Sequence, residues 1–140
     1  MDVKIKVVGG GQLPEFKRVG DACADCHARC DGAITILPRQ RKLIPLGFVL
    51  ELPDGYEAVI RPRSGESLKG HDVCIGTVDS NYRGEIMANL INNANEPFVI
   101  NNGDRVCQMA IRKTEKIIFV VADKLNDSVR GEHGFGSTGL

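Results

Sequence analysis

The sequence carries no net charge, since 18 Lys and Arg balance 18 Asp and Glu over its 140 residues. Without a surplus of either sign, no overall field draws the chain onto nucleic acid or an acidic membrane surface, and any anion site must be local. Long apolar runs are missing too. Nothing approaches the ~20 consecutive apolar residues of a membrane span, and the opening Met1-Asp2-Val3-Lys4-Ile5-Lys6 has no apolar core of the kind an export signal needs. These absences lead us to expect a cytoplasmic protein with neither nucleic-acid nor membrane partners. Tryptophan is absent as well, and the five cysteines are an odd number, three of them crowded at Cys23, Cys26 and Cys30 with Cys74 and Cys107 apart. In a cytoplasmic chain that pattern suggests reduced thiols rather than a disulfide framework.

What the sequence does contain is glycine (16), proline (6) and abundant Val and Ile. That mixture favours short strands joined by tight turns over long helices, and the length suits one compact domain. Val3 to Val8 alternates apolar and basic residues, as a half-buried strand does, before the Gly9-Gly10-Gly11 break. Ile34 to Leu37, Leu43 to Leu52 and Glu57 to Arg61 are further strand candidates, punctuated by Pro38-Arg39-Gln40 and Pro53-Asp54-Gly55 at meander-like spacing. Glu85 to Asn92 and Val106 to Ile111 also alternate, with Asn101-Asn102-Gly103-Asp104 expected as a tight turn between neighbouring strands. Lys116 to Val121 is expected to close the folded part. Many short strands at roughly ten-residue spacing predict an all-β sandwich or barrel.

Four segments carry groups suited to phosphate or water chemistry, and each is commonplace alone. Pro62-Arg63-Ser64-Gly65 follows a strand and joins a guanidinium, a hydroxyl and a glycine that admits close backbone approach. In Gly76 to Glu85 an apolar stub ends in Asp79, with Tyr82 three residues on. A carboxylate at a strand-to-turn junction is held rigidly enough to act on a water as general base, or is simply an Asp in a turn. Gly103 to Gln108 places a carboxamide inside a strand, where it must find partners if buried. The glycine-rich end from Asp127 onward has almost nothing to bury and reads as a frayed terminus. Its composition also fits a flap, with Arg130 and hydroxyls for phosphates and the Phe135 ring for a base.

In order and spacing, these segments resemble the five motifs of the trimeric dUTPase family along almost the whole chain. Ala22 to Ala28, after Leu13-Pro14-Glu15-Phe16, stands at the first motif. Pro62 to Gly65 is the second, Gly76 to Glu85 the third, Gly103 to Gln108 the fourth and Arg130 to Gly139 the fifth. The resemblance implies a jelly-roll-like distorted β-barrel over residues 1–126 and a flexible flap over residues 127–140, assembled as a homotrimer with sites shared between subunits. It implies hydrolysis of dUTP to dUMP and pyrophosphate, with Asp79 activating the water. One chain would bring Asp79 and a base-reading hairpin including Gly76, Thr77, Val78 and Met87, with Tyr82 packed under the deoxyribose. A second would bring Arg63, Ser64, Gly65 and Gln108, and a third the flap with Arg130, Phe135, Gly136, Ser137 and Thr138. Mg²⁺ is implied as a cofactor carried by the nucleotide phosphates, with no direct protein ligand and with Asp25 in support.

Two departures from the pattern stand out. Val73 occupies the position of a usual Asn, in a segment, Glu66 to Ile75, that is shorter than common bacterial forms. Cys23-Ala24-Asp25-Cys26-His27 formally matches a c-type haem attachment site, and Cys23, Cys26, Cys30 and His27 have zinc-ligand chemistry. Nothing directs the chain to export, and strand alternation would send near neighbours to opposite faces, so cysteine as a small buried hydrophobe is the expected role. Two rival functions are a dCTP deaminase or bifunctional relative, whose motifs call for an Arg-Ser-Ser segment and a catalytic Glu, and a nucleotide-gated regulatory binding protein on the same scaffold.

Overall fold

A computed structural model describes residues 1–139; Leu140, the end of the expected flap, lies outside the described residues. The chain is almost entirely β. Its strands are β1 (Lys4–Val7), β2 (Ala24–His27), β3 (Ile34–Ile36), β4 (Arg41–Pro45), β5 (Phe48–Glu51) and β6 (Tyr56–Arg61), then β7 (His71–Val73), β8 (Gly76–Val78), β9 (Met87–Asn92), β10 (Phe98–Ile100) and β11 (Arg105–Lys113). One short helical turn, α1 (Ser64–Ser67), interrupts them.

The strands pair as four small antiparallel sheets in the orders β1-β5, β10-β3, β2-β11-β6-β8 and β4-β9-β7. Among the described residues no strand pairs with its neighbour in sequence, so the expected meander is not formed. Each chain segment instead crosses between sheets in a jelly-roll-like barrel. The Asn101 to Asp104 turn does form, closed by Asp104 N–H donating to Asn101 O and by Gly103 at φ 85°. It joins β10 and β11, which belong to different sheets.

The core fills the space between the sheets with Phe48, Ile36, Ile44, Leu46, Ile60, Ile86, Leu90 and Ile100, each essentially inaccessible. Alternation produces this burial in β9, where Ala88, Leu90 and Asn92 turn inward. Asn92 is a buried amide with its groups satisfied: its Nδ2 donates to Ile36 O (2.9 Å) and Glu96 O (2.7 Å), and its Oδ1 accepts from Ala94 N–H. Such a fully bonded carboxamide costs little to bury and fixes the register around it.

Two sequence expectations fail for physical reasons. The single apolar run Leu43 to Leu52 is two strands, because Gly47 sits at φ 76° against Gly11, and a Cβ on either would fall 2.4 Å from the other's backbone. That close approach turns a corner that only glycine permits. The strand expected over Lys116 to Val121 is not formed. Ile118, Phe119, Val120 and Val121 are 83%, 91%, 82% and 97% exposed, and the barrel's last strand ends at Lys113. The segment has strand composition but no partner strand among the described residues of its own chain.

Candidate active site

β2 and β11 lie side by side, with Gln108 opposite Asp25 and, on the other side of β11, Arg61 of β6. The chain leaves β6 through Pro62 into Arg63 and α1. This brings Arg63, Ser64, Gly65, Gln108 and Asp25 to one polar cavity of about 550 Å³, with Lys17, Arg18 and Arg105 on its walls. Asp25 is the organiser of the basic groups here. Its Oδ1 accepts from Arg63 Nε at 3.1 Å and its Oδ2 from Arg105 Nη1 at 3.3 Å, with the carboxylate only 15% exposed. A carboxylate holding two guanidinium groups fixes their direction while leaving their remaining N–H donors for an anion. Gln108 is anchored as its partial burial requires, with Nε2 donating to Pro62 O at 2.8 Å. Arg105, Lys17 and Arg18 were not singled out from the sequence, although Arg105 lies within the Gly103 to Gln108 segment.

A second, smaller cleft of about 220 Å³ is lined by Thr77, Val78, Asp79, Tyr82, Glu85, Ile86 and Met87. Asp79 follows the last residue of β8 directly and is exposed. The turn after it is closed by Tyr82 N–H donating to Asp79 O (3.1 Å) and by Tyr82 Oη donating to Glu85 O (3.3 Å). β8 and β9 belong to different sheets, so the expected hairpin is an opening between two sheets rather than a paired ladder. β8 is the edge of its sheet, paired on one side only, through Ala58–Val78, Val59–Thr77 and Ile60–Gly76. Its outer main-chain groups are therefore free to read a ligand. Gly76 stands at the start of this edge, outside the cleft lining, and Val73 is buried in the core rather than facing the cleft.

The two groups of residues do not meet within one chain. β8 runs antiparallel to β6, so Asp79 falls one step past the Ala58–Val78 pair, beside Glu57, with which it lines a further surface hollow. Arg63 is at the other end of β6. Glu57 to Arg63 spans roughly 20 Å of extended chain at about 3.3 Å per residue, farther than any one reacting centre extends.

The tail is apart from both. Arg130 Nε donates to His133 O at 2.7 Å, Ser137 N–H donates to Gly134 O, and Phe135 stands fully exposed at φ 51°. Arg130, Phe135, Gly136, Ser137 and Thr138 thus present their groups to solvent on a segment of small turns.

The cysteines behave as small hydrophobes only in part. Cys26 of β2 and Cys107 of β11 are opposite one another and fully buried, and the neighbouring Cys26 thiol together with burial pushes the Cys107 thiol well above its usual range. Cys107 therefore stays protonated. Cys23 and Cys30 flank β2 half-exposed, so of the three crowded cysteines the buried-strand account covers Cys26 alone. Among the described residues no group of three or more His, Cys, Asp or Glu side chains is arranged to hold a metal ion. His27 is 8% exposed, its Nδ1 has no partner among the described residues, and burial holds its pKa below the usual imidazole value.

A family model described as dUTPase matches residues 11–139. The deoxyuridine 5'-triphosphate nucleotidohydrolase of Treponema denticola is 46% identical, covering 100% of this chain and 99% of that protein. Its counterpart from Finegoldia magna is 43% identical over 99% of each. Among solved structures, the Staphylococcus bacteriophage 80alpha dUTPase with dUPNHPP superposes with a TM-score of 0.92 at 21% identity, covering 99% of both chains.

Proposed function

The chain belongs to the dUTPase family, and from that premise we propose that it hydrolyses dUTP to dUMP and pyrophosphate, supplying dUMP and keeping uracil out of DNA. The observation that carries this reading is the exposed Asp79 carboxylate fixed at the end of β8, on the rim of the Thr77–Tyr82–Met87 cleft. A nucleoside triphosphate whose base and sugar sit in that cleft turns its α-phosphorus toward Asp79. The carboxylate orients a water for in-line attack and takes its proton as the phosphorus–oxygen bond to pyrophosphate breaks.

Uracil is read by the free edge of β8 near Thr77 and Val78, together with Met87. Main-chain groups offer a fixed donor and acceptor order that cytosine, with its exocyclic amine, reverses. Tyr82 packs under the deoxyribose and leaves no room for a 2′-hydroxyl. On the phosphate side, Arg63, Ser64 and the Gly65 backbone bind the chain of anions beside Gln108. Asp25 acts one step back, by aiming Arg63. The flap, with Arg130, Phe135, Gly136, Ser137 and Thr138, closes over the bound nucleotide and excludes bulk water.

Because Asp79 and Arg63 stand at opposite ends of β6, one nucleotide engages them from different subunits. The exposed apolar segment 117–121 supports such an assembly, as does an apolar groove of about 400 Å³ lined by Val3, Ile5, Leu13, Phe16, Leu50 and Ile111. Each buried side chain of this size contributes about 1.5–3 kcal/mol when covered, and a homotrimer covers them. Residues 1–126 make up the barrel unit, whose last strand ends at Lys113, and residues from 127 onward the flap.

Mg²⁺ is the cofactor whose chemistry fits. It prefers hard oxygen ligands, the triphosphate supplies them, and the oxygens of Asp25 are already engaged by Arg63 and Arg105. When bound, the ion neutralises charge on the phosphates. Purified protein with Mg²⁺ is expected to release pyrophosphate from dUTP about a hundredfold faster or more than from dCTP, dTTP or UTP. Equal turnover of dCTP overturns the uracil assignment. Asp79→Asn is expected to bind dUTP while losing about 10²–10⁴-fold in turnover, and unchanged turnover removes Asp79 from its role.

A further inference from the structure

One partly buried ion pair ties the barrel to the turn that carries Tyr82. Arg29, two residues past β2, donates from Nε to Glu85 Oε1 at 2.7 Å and from Nη2 to Glu85 Oε2 at 2.9 Å. The Gly47 N–H adds a third bond to Oε1 at 2.9 Å. Both side chains are about one-quarter exposed, at 25% and 24%. The pair joins residues 56 positions apart in sequence.

The guanidinium is boxed as well as bonded. A Cβ on Gly9 would fall 2.7 Å from Arg29 Cδ and 2.9 Å from its Nε, and one on Gly47 would fall 3.2 Å from Arg29 Cβ. Glycine at both positions leaves the channel through which Arg29 reaches Glu85. The Arg29 main chain is itself fixed, its N–H donating to Pro45 O at 2.8 Å. Hydrogen bonding to Arg29 holds the Glu85 carboxyl below the usual carboxylate range, and the same contact raises Arg29. The pair stays ionised.

Glu85 in turn sets the tyrosine. Tyr82 Oη donates to Glu85 O at 3.3 Å, and the ring lies so close over Gly84 that a Cβ there would meet Tyr82 Oη at 2.2 Å and Cζ at 2.4 Å. Tyr82 N–H then donates to Asp79 O. Positional control thus passes from Arg29 to Glu85, to Tyr82, and on to the turn holding Asp79.

We propose that Arg29 is a positioning residue for sugar selection: by clamping Glu85 it fixes the height of the Tyr82 ring under the sugar and so sets the discrimination against ribonucleotides. This rests on the reading of Tyr82 given above. A planar fork is needed here, because two parallel hydrogen bonds resist rotation of the carboxylate where a point charge does not.

The test is the ratio of kcat/KM for dUTP to that for UTP, measured for the wild type, Arg29→Met, Arg29→Lys and Glu85→Gln, and for Arg29→Met combined with Tyr82→Ala. Arg29→Met is expected to lower the ratio about tenfold, and Arg29→Lys to recover part of it. With Tyr82→Ala already present, Arg29→Met is expected to leave the ratio unchanged, because the two act in series. Should Arg29→Met fail to fold, Glu85→Gln, which keeps the side-chain shape and the Gly47 contact, carries the same expectation. Equal losses on dUTP and UTP, with the ratio unmoved in a selective wild type, overturn the role of Arg29 alone. A wild type that hydrolyses UTP as fast as dUTP overturns the reading of Tyr82 and this inference with it.

Discussion

Two variants that are each strongly impaired are expected to restore one another when mixed. Asp79→Asn removes the base and should cost about 10²–10⁴-fold. Arg63→Gln removes a charge-assisted phosphate contact of about 1.5–3 kcal/mol, or roughly ten- to a hundredfold. Along β6 these residues are roughly 20 Å apart at the strand rise of about 3.3 Å per residue, so a nucleotide touching both takes them from two subunits. In trimers assembled from equal amounts of the two variants, a site is intact when its Asp79 comes from an Arg63→Gln chain and its Arg63 from an Asp79→Asn chain. Random assembly makes each condition true half the time, so about one quarter of sites recover. The variants are unfolded and refolded together, and pyrophosphate release is compared with that of each variant refolded alone. Activity near one quarter of wild type supports the composite site. Activity at the average of the two parents refutes it, since both residues would then serve one site from one chain.

The exposed arm gives a second expectation. Phe119→Asp combined with Ile118→Asp should leave the barrel folded by circular dichroism and shift the assembly toward monomer in analytical ultracentrifugation, and an unchanged trimer would mean the arm is not an interface. Deleting residues 130–140 should leave a folded trimer with normal sedimentation and poor catalysis, whereas a monomer would make the tail structural. His27 provides a pH test. Its folded pKa is held below the ordinary 6.5 chiefly by burial, so the folded state takes up its proton less readily than the unfolded chain. The stability tied to its neutral form is complete above pH 6.5 and is lost as pH falls below that value toward the folded pKa. His27→Phe should therefore flatten the decline in Tm between about pH 7 and pH 5, and an unchanged decline would place the titration elsewhere.

Much of the architecture is legible in the chain because local rules agree with it. β9 alternates, Asn101 to Asp104 closes as a turn, and Asp79 falls at a strand end as its apolar stub suggests, whereas β11, paired on both sides, buries Val106 with Cys107 and Met109 with Ala110 instead of alternating. Pairing is less legible, since no strand bonds to its sequence neighbour and long-range register leaves no local mark. The corner at Gly47 is hidden because the apolar residues on either side of it read as one run. Lys116 to Val121 misleads for the opposite reason: its β-branched composition predicts a strand, but a strand needs a partner and its own chain supplies none. The motif order that resembles the family singles out Arg63, Asp79, Tyr82 and Gln108 as candidates, whereas Arg29 and Glu85 lie too far apart in sequence for either to signal the other.

The most direct test of the account is hydrolysis of an equimolar mixture of dUTP, dCTP, dTTP and UTP with Mg²⁺ in water enriched in heavy oxygen. We expect dUTP to be consumed first and the label to appear in dUMP, because Asp79 delivers water to the α-phosphorus. Label in the released pyrophosphate, or consumption of the four nucleotides at similar rates, would contradict it.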